Sequence, residues 1–345
     1  MSMMEAIVFE ETGKYAFVQR PVPEIKDGHD VKIKILAAAI CGSDVHILAD
    51  PPGVIATKGA IIGHECVAEV VEKGEKVDNV SVGDRVILDN NLTCGICPAC
   101  RSGHSNMCKN MQSMGSQIDG IYCEYQVVPD RALMTIQDSV DIRKAVLAEP
   151  IYCVMSAMKK FTVTPGQTCV VLGSGPLGMM FAGMLKIQGA GKVLMSEPNE
   201  KRAAFARENQ VDRVINPISE DLESIVLEET EGTGADLVID AAGALFMDAI
   251  KIVKPAGTIL LFGLNANARS EIRQCDITMK DITVLGNYIA YNSFADVANA
   301  LNNNVVDFSN LITHEYALCD FGKGLDAIRR GEAMKVVVYP GKASL

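Results

Sequence analysis

No uncharged apolar run in the chain reaches the roughly 18 residues that a bilayer-spanning helix needs. The first ten residues carry an acid at Glu5 and lack the basic stretch that opens a secretory signal. Basic residues are scarce overall: 32 Lys and Arg face 43 Asp and Glu, a net charge of −11. Such a surface repels phosphodiester backbones and anionic headgroups, which argues against nucleic acid or a membrane as partner. Internal repeats and low-complexity tracts are missing too. Charged residues at 22% and apolar residues at 48% leave neither a disordered nor a fibrous class open. At 345 residues the chain is long for one core and implies about two domains.

Cysteine, by contrast, is plentiful. There are eleven, an odd number. A chain this long, without a signal, has no need of a disulfide scaffold. Metal ligation, catalysis and plain burial remain, and spacing separates them.

The first 150 residues read as short strands broken by turns. Val31–Leu36 alternates apolar and polar residues, Val67–Val71 and Arg85–Leu88 are further β-like runs, and Gly28, Gly53, Gly74 and Gly83 punctuate them. After Phe161 the rhythm changes. Thr168–Leu172, Val193–Met195, Leu237–Ile239, Thr258–Phe262 and Ile282–Leu285 are continuous apolar strands separated by helical stretches, among them Pro176–Gln188, Asn199–Asn209 and Asp248–Val253. That alternation predicts a doubly wound parallel sheet, so the fold class is α/β with a mostly β partner domain. A last apolar strand is expected at Lys335–Tyr339.

Gly173-Ser174-Gly175-Pro176-Leu177-Gly178 follows the first of these strands and opens a helix. Its glycines suit a tight turn, close approach of a pyrophosphate, and close helix–strand packing. The helix N-terminus offers unpaired N–H groups to phosphate. Glu197, at the end of the second strand and 19 residues after Gly178, is placed to accept from ribose hydroxyls and to repel a 2′-phosphate. NAD is therefore expected rather than NADP. Arg202 is a candidate to stack on the adenine, or else sits on an exposed helix face.

Cys94, Cys97, Cys100 and Cys108 form C-x2-C-x2-C-x7-C. Four thiolates close a tetrahedral zinc site, with an iron–sulfur cluster as the alternative. Metal attraction would fold a lobe that Gly95, Pro98 and Gly103 keep from becoming a helix. A second constellation is more open. Cys41, His64 and Glu65 offer sulfur, nitrogen and oxygen, and three protein ligands plus a vacant position is the catalytic form of a zinc site. Glu149 is a candidate fourth ligand or a partner for metal-bound water, and Asp44 a candidate acceptor for the free imidazole nitrogen of His64.

Taken together, Cys41-Gly-Ser-Asp-Val-His46, Gly63-His-Glu65, the four-cysteine lobe, Val82-Gly-Asp-Arg-Val86, Glu149-Pro150, the glycine fingerprint and Met334-Lys-Val-Val-Val338 resemble the zinc-dependent medium-chain dehydrogenase/reductase family. Glu149-Pro150 resembles its polyol branch, the sorbitol, galactitol-phosphate and butanediol dehydrogenases, with threonine dehydrogenases as close cousins. The resemblance implies a GroES-like catalytic domain over 1–150 and 289–345 and a Rossmann domain over 151–288. It also implies one catalytic and one structural zinc, NAD as coenzyme, and a dimer or tetramer. The substrate would be a polyol, diol or sugar alcohol, free or phosphorylated, oxidised at a secondary alcohol to the ketone. The alternatives are a threonine or simple secondary-alcohol dehydrogenase and, more remotely, an inactive protein that keeps zinc and NAD.

In the expected reaction the metal acidifies the substrate hydroxyl, and Ser43 or Glu149 accepts its proton. The relay that the resemblance implies then runs through the nicotinamide ribose to His46 and solvent. Sorbitol dehydrogenases carry an arginine where Ala290 stands here, so the pocket near Tyr288 and Tyr291 suits another diol or a phosphorylated sugar alcohol. Of the remaining cysteines, Cys66, Cys123, Cys153, Cys169, Cys275 and Cys319 are expected to be small buried hydrophobes, with Cys66 and Cys153 near the pocket. Thiolates held free for metal call for a reducing, cytoplasmic setting.

Overall fold

The computed structural model describes residues 2–209 and 211–342, so the ends of the first and last expected segments, residues 1 and 343–345, lie outside it. The chain divides into two compact units, one comprising Met1–Cys153 with Ala290–Leu345, the other Val154–Ile289. No helix among the described residues is long and apolar enough to cross a membrane.

The first unit is built on a seven-stranded sheet. Its order runs Ile312–Ala317, Lys335–Tyr339, Asp30–Ile40, Glu65–Lys73, Arg85–Leu88 and Leu133–Ile136, with Tyr125–Pro129 also paired to Asp30–Ile40. Asp30–Ile40 buries Val31, Ile33 and Ile35 in alternation and then runs through three buried alanines. That small-residue stretch lets strands approach on both sides. Ala39 pairs with Glu65 on one neighbour and with Val337 on the other. This double register brings the turn after Ile40, the residues just before Glu65, and the start of the C-terminal strand to one end of the sheet. A hairpin of Met3–Glu11 and Lys14–Pro21, tightened at Gly13 with φ +79°, lies alongside.

The second unit is a six-stranded, all-parallel sheet. Its order is Arg213–Ile215, Lys192–Ser196, Thr168–Leu172, Ala235–Asp240, Val253–Leu261, Thr283–Gly286. In chain order that is 3-2-1-4-5-6, the dinucleotide-binding arrangement with its switch point beside the first strand. The helix Pro176–Ile187 follows that strand, begins on a proline, and buries every residue from Gly178 to Leu185.

Two expectations about cysteine are corrected. Cys66, Cys123 and Cys169 are buried and Cys153 partly so, but Cys275 and Cys319 are exposed. Cys275 lies on a short helix, Gln274–Thr278, that buries nothing, and Cys319 sits on a single turn whose core contact is Leu318.

Candidate functional site

The four sulfurs of Cys94, Cys97, Cys100 and Cys108 lie within 4.8 Å of one another. None is in a disulfide, and Cys97–Cys100 and Cys94–Cys108 approach to 3.5 Å. Backbone N–H groups of Ile96 and Cys97 pull the Cys94 thiol down to about 6. Burial and the neighbouring thiols push Cys100 up to about 11. Four sulfurs this close cannot all ionise without a cation among them, so the donor set fits a soft metal.

The second group stands at the sheet end that the register prepares. The ligand atoms of Cys41, His64 and Glu65 also lie within 4.8 Å of one another. Cys41 precedes the helix Gly42–Ile47, and Ser43 and Asp44 occupy its first turn. Ser43 Oγ is 3.4 Å from His64 Nε2, and Asp44 Oδ1 is 3.8 Å from His64 Nδ1. Burial works against the imidazolium, yet the Cys41, Asp44 and Glu149 charges outweigh it and raise His64 well above its ordinary value. The pocket thus holds surplus negative charge, which again fits a cation. Glu149 lies outside the 4.8 Å group. Burial pushes it up to about 7, and Cys153 Sγ donates to its Oε1 at 3.5 Å. His46 is on the exposed side of the same short helix as Ser43.

Two residues at this site escaped the reading of the sequence. Lys335 is buried, with its ammonium 2.6 Å from both oxygens of Glu65 across 270 residues of chain. A lone lysine opening a VVVY strand was a faint sign of it. Tyr122, fully buried, donates to Asp44 Oδ2 at 2.6 Å. Nothing local in the sequence announces that bond.

A cavity of about 470 Å³ opens in the same unit, lined among others by Asp89, Asn91, Tyr152, Ala290, Asn292 and Asp296. Among the described residues, no lysine, arginine or histidine lines it. Tyr152 is three residues beyond Glu149 on the helix Ala148–Met158, hence on the same helix face. Cys66 and Cys153 do not line this cavity.

In the second unit, Gly173 takes φ +102° and Gly178 sits so close to the Gly173 carbonyl that a Cβ would lie 2.0 Å from it. A Cβ at Gly175, the residue that caps the helix, would meet open space, where Pro176 and Leu177 begin the first turn. Glu197 lies one residue beyond the strand, which ends at Ser196. It is already engaged: Ser174 N–H and Oγ donate to Oε2 at 2.8 and 3.0 Å, and Asn199 N–H donates to Oε1 at 2.8 Å. It therefore ties the glycine turn to the second strand, with acceptor capacity to spare. Arg202 has its Nε buried without a hydrogen bond. An open phosphate cradle, an acid at the ribose position and a buried guanidinium Nε without a partner together fit a dinucleotide.

Comparison with known proteins agrees with this geometry. Residues 27–138 match the alcohol dehydrogenase GroES-like domain and residues 176–303 the zinc-binding dehydrogenase domain. A sorbitol dehydrogenase of Halalkalibacterium halodurans is 33% identical over 343 residues, 98% of this chain and 99% of that protein. The chain belongs to the zinc-dependent medium-chain dehydrogenases. An L-threonine 3-dehydrogenase of Caldanaerobacter subterraneus is also 33% identical, over 337 residues and 94% of each chain. Among solved structures, an alcohol dehydrogenase of Escherichia coli CFT073 in complex with NADH superposes with a TM-score of 0.91 at 28% identity, covering 98% of this chain and 100% of that one. A protein from Sinorhizobium meliloti 1021 bound to NADP gives 0.91 at 27%, covering 99% and 100%. As a member of this family the chain is a zinc alcohol dehydrogenase acting on a small molecule, and its relatives include the polyol dehydrogenases.

Proposed function

We propose that this dehydrogenase oxidises a secondary alcohol of an uncharged polyol or diol, with NAD as coenzyme. Cys41, His64 and Glu65 would hold the catalytic metal and the four-cysteine lobe the structural one. When bound, the metal supplies a Lewis acid for the substrate hydroxyl and the nicotinamide accepts the hydride. Ser43, within reach of His64, takes the hydroxyl proton, and exposed His46 passes it to solvent. Glu149, which burial keeps partly protonated near neutral pH, holds a water or the substrate beside the metal. Glu197 disfavours a 2′-phosphate by charge. A homodimer or homotetramer in the cytoplasm is the assembly we expect.

The cavity taken as the substrate pocket is lined by none of Cys41, Ser43, His64, Glu65 or Glu149, borders the cysteine lobe at Gly95 and Cys100, and is tied to the metal group through the helix that Tyr152 shares with Glu149. Its charge carries the substrate reading. Among the described residues it offers amides, hydroxyls and two carboxylates and no cation, and Ala290 lines it in place of the arginine that the resemblance to sorbitol dehydrogenases implies. Phosphorylated sugar alcohols would find no counter-charge there. Hydroxyl groups would find donors and acceptors. The threonine relative favours a second reading, in which the carboxylates hold an ammonium group. Threonine's own carboxylate would then face two like charges.

Reduction of NAD and NADP across C4–C6 diols, free polyols, their phosphates and L-threonine tests both readings. Highest kcat/KM with an uncharged diol or polyol supports the first. Highest efficiency with a phosphate or with threonine overturns it. Ser43→Ala should lower kcat by at least about 100-fold while NADH binding, read by fluorescence, stays within about twofold.

A further inference from the structure

Asp44 is fully buried, and its two oxygens are used unequally. Oδ2 accepts from the Cys41 backbone N–H at 2.9 Å and from the Tyr122 hydroxyl at 2.6 Å. Oδ1 has no hydrogen-bond partner among the described residues and lies 3.8 Å from His64 Nδ1. A carboxylate's terminal torsion is soft and roughly two-fold. One donor on Oδ2 would leave it free to pivot, and a second, from another direction, removes that freedom. What remains is a single oxygen directed at the imidazole.

Tyr122 is well built to be that second anchor, because it is fully buried and bonded through its backbone on both sides. Its N–H donates to the Ile62 carbonyl at 3.0 Å, and its carbonyl accepts from Ile7 N–H at 2.9 Å. Gly120 and Ile121 N–H groups donate to Ile61 and Gly63 at 2.7 and 3.1 Å, so residues 120–122 clamp the backbone that leads into His64. The tyrosine ring packs on Phe321 at 5.1 Å. It also occupies the space beside Gly63, where a Cβ would come within 2.6 Å of the ring. The hydroxyl has two acceptors in range, the Asp44 carboxylate at 2.6 Å and the Ala39 carbonyl at 3.0 Å. The shorter, charge-assisted bond takes its single proton.

We propose that Tyr122 is a positioning residue for the metal cluster of Cys41, His64 and Glu65. Its hydroxyl fixes Asp44 so that Oδ1, 3.8 Å from Nδ1, is held ready to accept the Nδ1–H of His64 and to leave Nε2 as the ligand atom. The inference rests on the metal-site reading given above. Partners that bond directly to a ligating histidine change metal affinity by about 10–100-fold when removed. Tyr122 acts one bond further out, so a loss of about three- to tenfold is expected.

The test uses the full chain, stripped of metal and titrated with Zn²⁺ against a chromophoric chelator and with Co²⁺ by visible absorption. Wild-type protein should bind two ions per chain, and Cys41→Ser should abolish one of them. If it binds only one ion, or if Cys41→Ser abolishes neither, the metal-site reading fails and the present inference with it. Given two sites, Tyr122→Phe keeps the ring and removes only the hydroxyl. It should weaken one site three- to tenfold, shift the Co²⁺ d–d bands of that site, and leave the four-cysteine site unchanged.

A purely structural hydroxyl would lower the unfolding free energy of metal-free and metal-loaded protein equally. Affinity and spectrum would then match wild type, and that result overturns the proposal. A double-mutant cycle adds a second check. In an Asp44→Asn background, Tyr122→Phe should no longer change the weaker site's affinity. An undiminished effect there would mean the hydroxyl does not act through Asp44.

Discussion

At the residue scale, the site depends on buried charges held against partners of opposite sign, with the acidic groups in excess. Burial alone would strip the Lys335 proton, but Glu65, Cys41 and Glu149 hold the ammonium above its ordinary range. Removing one partner of a buried pair typically costs about 3–5 kcal/mol, because the other charge is stranded. Lys335→Met should destabilise the chelator-treated protein by about that amount in urea unfolding, and Lys335→Arg by much less. Adding Glu65→Gln to Lys335→Met should recover most of the loss. Recovery absent from the double variant would show that packing, not charge, explains the effect. Asp89 gives a pH test away from any proposed ligand. Burial pushes its carboxyl up to about 6, against hydrogen bonds from Asn91 N–H and Tyr152 that favour the anion. The folded state thus binds the Asp89 proton more tightly than the unfolded chain. Its contribution is fully present below about pH 4 and is lost as pH rises through 6. Asp89→Asn should therefore gain stability relative to wild type between pH 4.5 and 7.5, by about 1–3 kcal/mol. An unchanged difference across that range would refute the shift.

At the scale of the element, what could be read from sequence depended on how each segment is buried. Strands of the parallel sheet are covered on both faces, so Thr168–Leu172 appears as an unbroken apolar run and stands out. Val253–Leu261 starts five residues before its apolar part, because Pro255, Gly257 and the left-handed Ala256 (φ +57°) mask its beginning. The Met3–Glu11 and Lys14–Pro21 hairpin carries charge at Glu5, Glu10, Glu11, Lys14 and Arg20, and its pattern did not announce it. The candidate metal ligands were legible because soft-metal chemistry demands cysteine at close spacing. Lys335 and Tyr122 were not, since their partners lie 270 and 78 residues away and only the folded register joins them. The cysteine lobe shows the same logic as energetics. Its helix Pro98–Arg101 buries no residue, and Ile96 and Met107 are exposed. With so little core, its order is expected to depend on a bound metal. Chelation should speed tryptic cleavage after the exposed Arg101 and Lys109 by at least about tenfold before other sites open, read by mass spectrometry. Cleavage no faster than in the loaded protein would show that the lobe holds itself together.

For the whole molecule, the two units have separate buried clusters. One centres on Ile33, Ile40, Tyr122 and Phe321, the other on Val170, Leu194, Val238 and Ile259. The proposed metal ligands all belong to the first unit, and the glycine turn, Glu197 and Arg202 to the second. A ligand that binds only the folded form stabilises it by mass action, about 2.7 kcal/mol at a concentration 100 times its Kd. Local opening is suppressed most where the ligand's contacts are made. Metal and coenzyme should therefore leave different footprints in amide hydrogen exchange. Chelation should raise exchange in residues 41–47, 61–66 and 94–113 and leave the strands at 168–172 and 192–196 near their starting rates. NADH added to the loaded enzyme should slow exchange at 173–180 and 197–203. If NADH leaves those segments unprotected while another part of the chain slows, the coenzyme does not sit on the glycine turn. The charge argument for Glu197 would then fall with it. If protection appears at the turn with NADH and equally with NADPH at matched concentrations, the turn is the site, but Glu197 does not select against the 2′-phosphate.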